Sequence, residues 1–137
     1  MRILLPIILA LALGGPAAAL DDADRAAVRS TIESQLRAFL AEDSAAAYSF
    51  AAPNIKAIFP TEEIFMEMVR KGYPQVYRPR AYEFSETTEE AGRIVQDVEI
   101  VDADGAFWTA RYTLGRQPDG SWKITSCTLL KKPGEVA

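Results

Sequence analysis

The spacing of apolar positions along this chain changes period near Tyr73-Pro74, and the change divides the sequence into a helical half and a stranded half. Before it, Val28, Ile32, Leu36, Phe39 and Leu40 recur four, four, three and one residues apart. That spacing lays one apolar stripe along a helix, with Asp21 and Asp22 available to cap its start. Ala41-Glu42-Asp43-Ser44 interrupts the pattern, and Asp43 or Ser44 can cap a second short helix through Ala45, Ala46, Ala47, Tyr48 and Phe50 that ends before Pro53. A third follows Pro60: Thr61 caps it, Glu62 and Glu63 sit in its positive first turn, Phe65, Met68 and Val69 line one side, and Gly72 ends it. Three helices are therefore expected in the first half.

After Pro74 the apolar positions alternate, as strands require. Tyr82 and Phe84 alternate with Glu83 and Ser85; Ile94, Gln96, Val98 and Ile100 alternate with Val95, Asp97, Glu99 and Val101. Asp102-Ala103-Asp104-Gly105 reads as a hairpin turn into a third strand whose inner set is Trp108, Ala110, Tyr112 and Leu114, because the other set carries Arg111 between two threonines. Gln117-Pro118-Asp119-Gly120 is a second turn, with proline and glycine where their φ angles suit it. The last strand alternates Trp122, Ile124, Ser126 and Thr128 against Lys123, Thr125, Cys127 and Leu129. Helices followed by four antiparallel strands mean an α+β fold in which helices cover one sheet face.

The first twenty residues stand apart. Arg2 precedes an uncharged apolar run, Gly14-Gly15-Pro16 breaks it, and Ala17-Ala18-Ala19 supplies a small-x-small cleavage site before Leu20-Asp21-Asp22. Residues 1–19 read as a secretory signal peptide and 20–137 as one domain, destined for the periplasm or secretion. An uncleaved anchor is the rival, but Gly14 to Pro16 break the helix short of a full span. No membrane association is expected once the leader is gone. Removing Arg2 with it leaves 14 basic against 19 acidic residues, a net charge of −5 that argues against nucleic acid as a partner.

The chain has no histidine. That removes the commonest metal ligand, the usual base near neutral pH and every Ser-His-Asp or Cys-His arrangement. No metal site, no cofactor and no catalytic set is expected. Asp102 to Gly105 opens like a calcium loop but lacks the third acid, and its twelfth position is Thr113, so it reads as a turn. The single cysteine, Cys127, cannot form an internal disulfide; it is either a buried structural thiol or the half of an intermolecular bond.

The helix pair, third helix and meander ending in Tyr112-Thr113-Leu114 and Asp119-Gly120-Ser121-Trp122-Lys123-Ile124 resemble the cone-shaped, cystatin-like superfamily of nuclear transport factor two, scytalone dehydratase and ketosteroid isomerase. Ser49 to Pro53, Phe65-Met66 with Met68-Val69, Gly72-Tyr73-Pro74, Val76 to Arg80 and the Trp122 to Cys127 ending resemble, more closely, a family of small exported bacterial proteins of uncharacterised function. The resemblance implies N-terminal helices packed on a curved antiparallel sheet and carries no activity, since the superfamily holds enzymes, binding modules and bare scaffolds.

Three functions stay open. The preferred one is a non-catalytic exported module binding a small molecule or a protein through the cone; the others are a histidine-free isomerase or hydrolase, and a structural protein acting through its outer sheet face. Within the cone the alternation gathers Gln96, Tyr112 and Ser126 among Trp108 and Trp122, polar points in an apolar surround of the kind small ligands use. Whether Trp108, Tyr112, Trp122 and Met68 leave that cone hollow or fill it separates the first function from the third. Tyr73, Tyr77, Arg78, Arg80 and Tyr82 form a basic-aromatic segment that either grips a carboxylate or phosphate at its mouth or is a connector whose tyrosines pack and whose arginines pair with Glu83, Glu86, Glu89 or Glu90. Asp97 and Glu99 are expected on the outer face. A homodimer through that face is a further expectation, resting on Val95, Val101, Phe107 and Leu129.

Overall fold

A computed structural model describes residues 20–91 and 93–133 of the chain. The expected signal peptide, residues 1–19, lies outside the described residues. Five helices come first: α1 (Asp22–Leu40), α2 (Ser44–Ser49), α3 (Pro53–Ile58), α4 (Glu62–Gly72) and α5 (Pro74–Tyr77). Four strands follow, β1 (Ala81–Glu90), β2 (Arg93–Val101), β3 (Phe107–Arg116) and β4 (Trp122–Lys131), in one antiparallel sheet ordered as in sequence. The class is α+β. Among the described residues, no helix is long and apolar enough to cross a membrane.

The caps fall where side chains can supply them. Asp21 caps α1 in a reciprocal box with Asp24, Asp43 caps α2, and Thr61 caps α4, each accepting from a backbone N–H of the first turn. Helices α3 and α5 were not among the three expected. Both begin at a proline, Pro53 and Pro74. Proline ends a preceding helix but is also well suited to the first turn of the next, where its missing N–H costs nothing.

At the end of α1 the chain reverses through a Schellman motif: the Asp43 N–H donates to the Ala38 carbonyl (2.9 Å) and the Glu42 N–H to that of Phe39 (3.0 Å). Glu42 takes the left-handed position usually given to glycine, with φ +55°. Of the expected α1 stripe, Val28, Ile32, Leu36 and Phe39 are buried and Leu40 is half exposed.

Two β-bulges break the strand alternation. Phe84 pairs with Val98 and Thr87 with Gln96, so Ser85 and Glu86 together face Asp97. Leu114 pairs with Ile124 but Thr113 with Ser126, so Thr125 is the extra residue in β4. Beyond it every side chain of β4 is turned over. Cys127 now sits opposite Tyr112 and Leu129 opposite Ala110, both packed on the core. Ser126, expected inside, bonds the Thr113 hydroxyl on the other face (2.6 Å).

That outer face is largely polar. Arg111 holds Asp97 bidentately (2.9 and 3.0 Å), and Glu99 accepts from Thr109 (2.9 Å) and pairs with Lys132 (2.8 Å). Asp97 and Glu99 thus stand where the alternation put them. Of the four apolar residues behind the expected homodimer, Leu129 belongs to the core side, Val95 is buried, and Val101 and Phe107 are half-buried.

Candidate functional site

The helices do not close completely on the sheet. Between them lies a cavity of about 180 Å³. Gln35 and Phe39 of α1 form one wall, and Ile55 and Phe59 from α3 and its C-terminal cap form another. Phe65, Met68 and Val69 of α4, with Tyr73 and Val76, form a third, and the sheet contributes Tyr112, Ile124, Ser126 and Cys127. None of these side chains is charged.

Each wall is held by local chemistry. The α2–α3 connection is stitched to the edge of the sheet: Ile124 N–H donates to the Phe50 carbonyl (2.9 Å), Ala52 N–H to that of Ile124 (2.8 Å), and Asn54 Nδ2 to that of Thr125 (2.9 Å). Tyr48 Oη donates to the Phe59 carbonyl (2.6 Å), which anchors the far end of α3. Gln35, buried in the α1 wall, donates to the Ala47 carbonyl (3.0 Å). Rings of Phe39, Phe65, Tyr48 and Tyr77 stack at centroid distances of 5.5–6.3 Å behind the wall.

The sheet side carries the polar chemistry. Tyr112 is 1% exposed, and its hydroxyl, out of reach of solvent, has no polar neighbour among the described residues but the weakly bonding Cys127 thiol. Burial holds that phenol well above its ordinary range, with the neighbouring Cys127 thiol adding to the shift. Burial likewise pushes the Cys127 thiol up to about 12. Both groups are therefore protonated at neutral pH, and neither is a nucleophile or a base there. The site offers an apolar surround, with both of these polar groups buried in its sheet-side wall. It has no carboxylate, ammonium or guanidinium with which to move a proton or hold an anion. Among the described residues, no three His, Cys, Asp or Glu side chains gather as a metal site would require.

Of the eight residues expected to bind ligand, Tyr112 and Ser126 border the cavity, Ser126 with its hydroxyl bonded to Thr113 on the outer face, and the other six do not. Gln96 is fully buried but spent on the β1 bulge: Nε2 donates to the carbonyls of Ser85 (2.9 Å), Glu86 (3.3 Å) and Asp97 (2.8 Å), and Oε1 accepts from Thr87 Oγ1. Trp108 donates from Nε1 to Asp102 (2.8 Å), bracing the β2–β3 turn, and this bond holds the Asp102 carboxyl below its usual range. Trp122 lies under the Arg116 guanidinium, 4.7 Å from its ring centroid.

Tyr77 is buried against Phe39. Arg78 stacks over Tyr77 and donates to the last carbonyls of α1 through Phe39 (2.7 Å) while pairing with Glu42 (3.1 Å), so it caps a helix and does not meet the glutamates of β1. Arg80 lies on the β2–β3 turn, its Nη1 3.3 Å from where a Cβ on Gly105 would stand. These contacts tie the basic-aromatic segment to the end of α1 and to the β2–β3 turn.

Sequence reasoning missed Ile55, Phe59, Tyr73 and Cys127 as cavity walls. Ile55 and Phe59 stand one helical turn apart, a pairing visible only once Pro53 is read as a helix start. Cys127 was masked by the β4 bulge, for which no glycine gives a sign. Met68, named as a filler, lines the cavity without closing it.

A family model described as a domain of unknown function (DUF4864) matches residues 21–137. No curated protein and no solved structure matches the chain.

Proposed function

The chain belongs to the family described as a domain of unknown function (DUF4864), and from its own site we propose that it is an exported, non-catalytic module that binds a small uncharged molecule between its helices and its sheet. One observation carries this reading: a cavity of about 180 Å³, open to solvent on one side, is lined by apolar and uncharged polar side chains alone. A concave, mostly apolar site with a few polar groups in its lining has the form of a small-ligand pocket. Catalysis is disfavoured because Tyr112 and Cys127 are both held in their neutral forms and no carboxylate reaches the cavity.

The cone fold of nuclear transport factor two and its relatives is part of the same proposal. It is supported by bulges in β1 and β4, a device that bends sheets, and by helices packed against the sheet. Export is supported by the order of charge, apolar run and small residues in Met1 to Ala19, and by a family match that begins at residue 21.

The test compares thermal melting of the protein as released from cells with that of the same protein unfolded, washed free of small molecules and refolded. A ligand bound only to the folded state raises stability by mass action, by about 2.7 kcal/mol at a hundred times its Kd. The refolded protein should melt several degrees lower and recover when the washings are returned. Identical melting curves would remove the support for a resident ligand.

A further inference from the structure

We propose that the outer edge of β4 takes an extended acidic segment of another protein as a fifth strand of the sheet; the proposal goes beyond the small-molecule reading and does not depend on it. The first part of that edge is already occupied. Phe50 to Ala52 lies along it, with the Phe50 carbonyl accepting from the Ile124 N–H (2.9 Å) and the Ala52 N–H donating to the Ile124 carbonyl (2.8 Å), and Asn54 takes the Thr125 carbonyl (2.9 Å). After Thr125 the cover stops. The Lys132 N–H donates to the Phe107 carbonyl (2.9 Å), and bonded pairs alternate along an antiparallel ladder, so Leu130, Thr128 and Ser126 also bond towards β3. The backbone N–H and C=O groups of Cys127, Leu129 and Lys131 therefore point away from the sheet, and among the described residues nothing pairs with them.

An unpaired edge is a template for another strand, and proteins blunt the edges they do not use. The edge at β1 is blunted in three ways: it bulges at Ser85 and Glu86, Arg29 donates to the Ser85 carbonyl (3.3 Å), and Glu83, Glu86, Glu89 and Glu90 stand along it. Beyond Thr125, β4 has no bulge, and Leu130 is 39% exposed.

Charge selects the occupant. Trp122 to Lys132 carries Lys123, Lys131 and Lys132 and no acid, in a chain that is acidic as a whole. Lys132 pairs with Glu99, whereas Lys131 lies over the Trp108 ring, 5.7 Å from its centroid. Pairing two copies of this edge would gather lysines together, and an acidic segment supplies the counter-charge instead. The cavity adds a second preference. Its half-exposed lining residues Phe59, Met68, Tyr73 and Cys127 mark its mouth, and Cys127 lies on this edge. Every second side chain of an added strand turns towards that apolar rim, so the segment that fits alternates apolar and acidic residues.

The test is amide hydrogen exchange, followed by NMR on the whole protein with and without the peptide Ac-Glu-Val-Glu-Val-Glu-Val-NH2. In the protein alone the amides of Cys127, Leu129 and Lys131 should exchange about tenfold or more faster than those of Ser126, Thr128 and Leu130, and saturating peptide should remove most of that difference. The same peptide with lysine for glutamate should give no protection. Lys131→Glu, at an exposed position, should weaken the acidic peptide about two- to fivefold. N-methylation of one alternate set of the peptide's amides should abolish binding, and of the other set should leave it, because only one set faces β4. Slow exchange of the three amides in the protein alone would overturn the proposal, and if that protection faded on dilution it would place a second copy of the chain on the edge. Absence of protection by the acidic peptide, equal protection by the lysine peptide, or an equal effect of N-methylation on both sets would overturn it as well. The melting comparison above reads the cavity and is decided separately from each of these results.

Discussion

Replacing Gln96 by leucine removes one amide from the middle of the sheet and nearly nothing from its volume. In the parent that amide takes the place of the ladder bonds lost at the β1 bulge, bonding the carbonyls of Ser85, Glu86 and Asp97 and the Thr87 hydroxyl. The Glu86 side of the bulge is exposed, so its carbonyl can turn to water. The Thr87 hydroxyl is on a residue 8% exposed and the Ser85 carbonyl is half-buried, so both are left short of a partner. At about 1–3 kcal/mol for the buried Thr87 hydroxyl and about 1 kcal/mol for the half-buried Ser85 carbonyl, which water reaches in part, the loss is about 2–4 kcal/mol.

For a domain of the size the family model matches, residues 21–137, that is a fall of roughly 8–16 °C, taking about 4 °C per kcal/mol. Urea unfolding followed by circular dichroism gives the quantity directly, with the midpoint displaced and the slope unchanged. The double variant Gln96→Leu with Thr87→Val should recover part of the loss, because removing both partners of a bond costs less than removing one. A Gln96→Leu protein within 1 kcal/mol of the parent would refute the structural role of the amide. One that kept its stability and lost its ligand would return Gln96 to the binding site.

Glu42→Gly should stabilise the protein by about 0.5–1 kcal/mol in urea, since glycine takes the left-handed position at the end of α1 without strain and the exposed ion pair with Arg78 is worth little. Cys127 should react with a thiol reagent at pH 8 far more slowly than a free cysteine, because its raised pKa leaves little thiolate on a half-buried residue; labelling as fast as free cysteine would contradict that shift. The Cys127 thiol is about 12 when folded against an ordinary 9.0, so its contribution to stability is whole below pH 9 and declines as pH rises from there towards 12. A melting temperature that climbs over that interval would reverse the sign. The protein recovered from the periplasm should begin at Leu20, and full-length chain held in the membrane would refute export.

What could be read from the sequence follows from which rules the chain obeys locally. The caps at Asp21, Asp43 and Thr61, the helical stripe of α1 and the glycine turns at Gly105 and Gly120, with φ of +87° and +89°, are each decided by a few neighbouring residues, and all were legible. Tyr112 was legible for the same reason, as an inward position in a strand whose other face carries Arg111. The bulge at Thr125 was not, because nothing in Lys123 to Leu129 marks an extra residue. Ser126 was accordingly placed inside and Cys127 outside, one residue out of step. Trp108, Trp122, Arg78 and Arg80 stand away from the cavity for a different reason: they lie at a turn, a cation–π contact or a helix end that only the tertiary arrangement brings near.

The proposal that this protein carries a small molecule is tested most directly by weighing it. The protein is released gently from the cells that make it and measured by native and by denaturing mass spectrometry. The account predicts a native species heavier than the denatured chain by the mass of one small neutral compound, with that excess absent from a cavity-filling Met68→Trp variant. A parent whose native and denatured masses agree, in a preparation never exposed to denaturant or organic solvent, would contradict it.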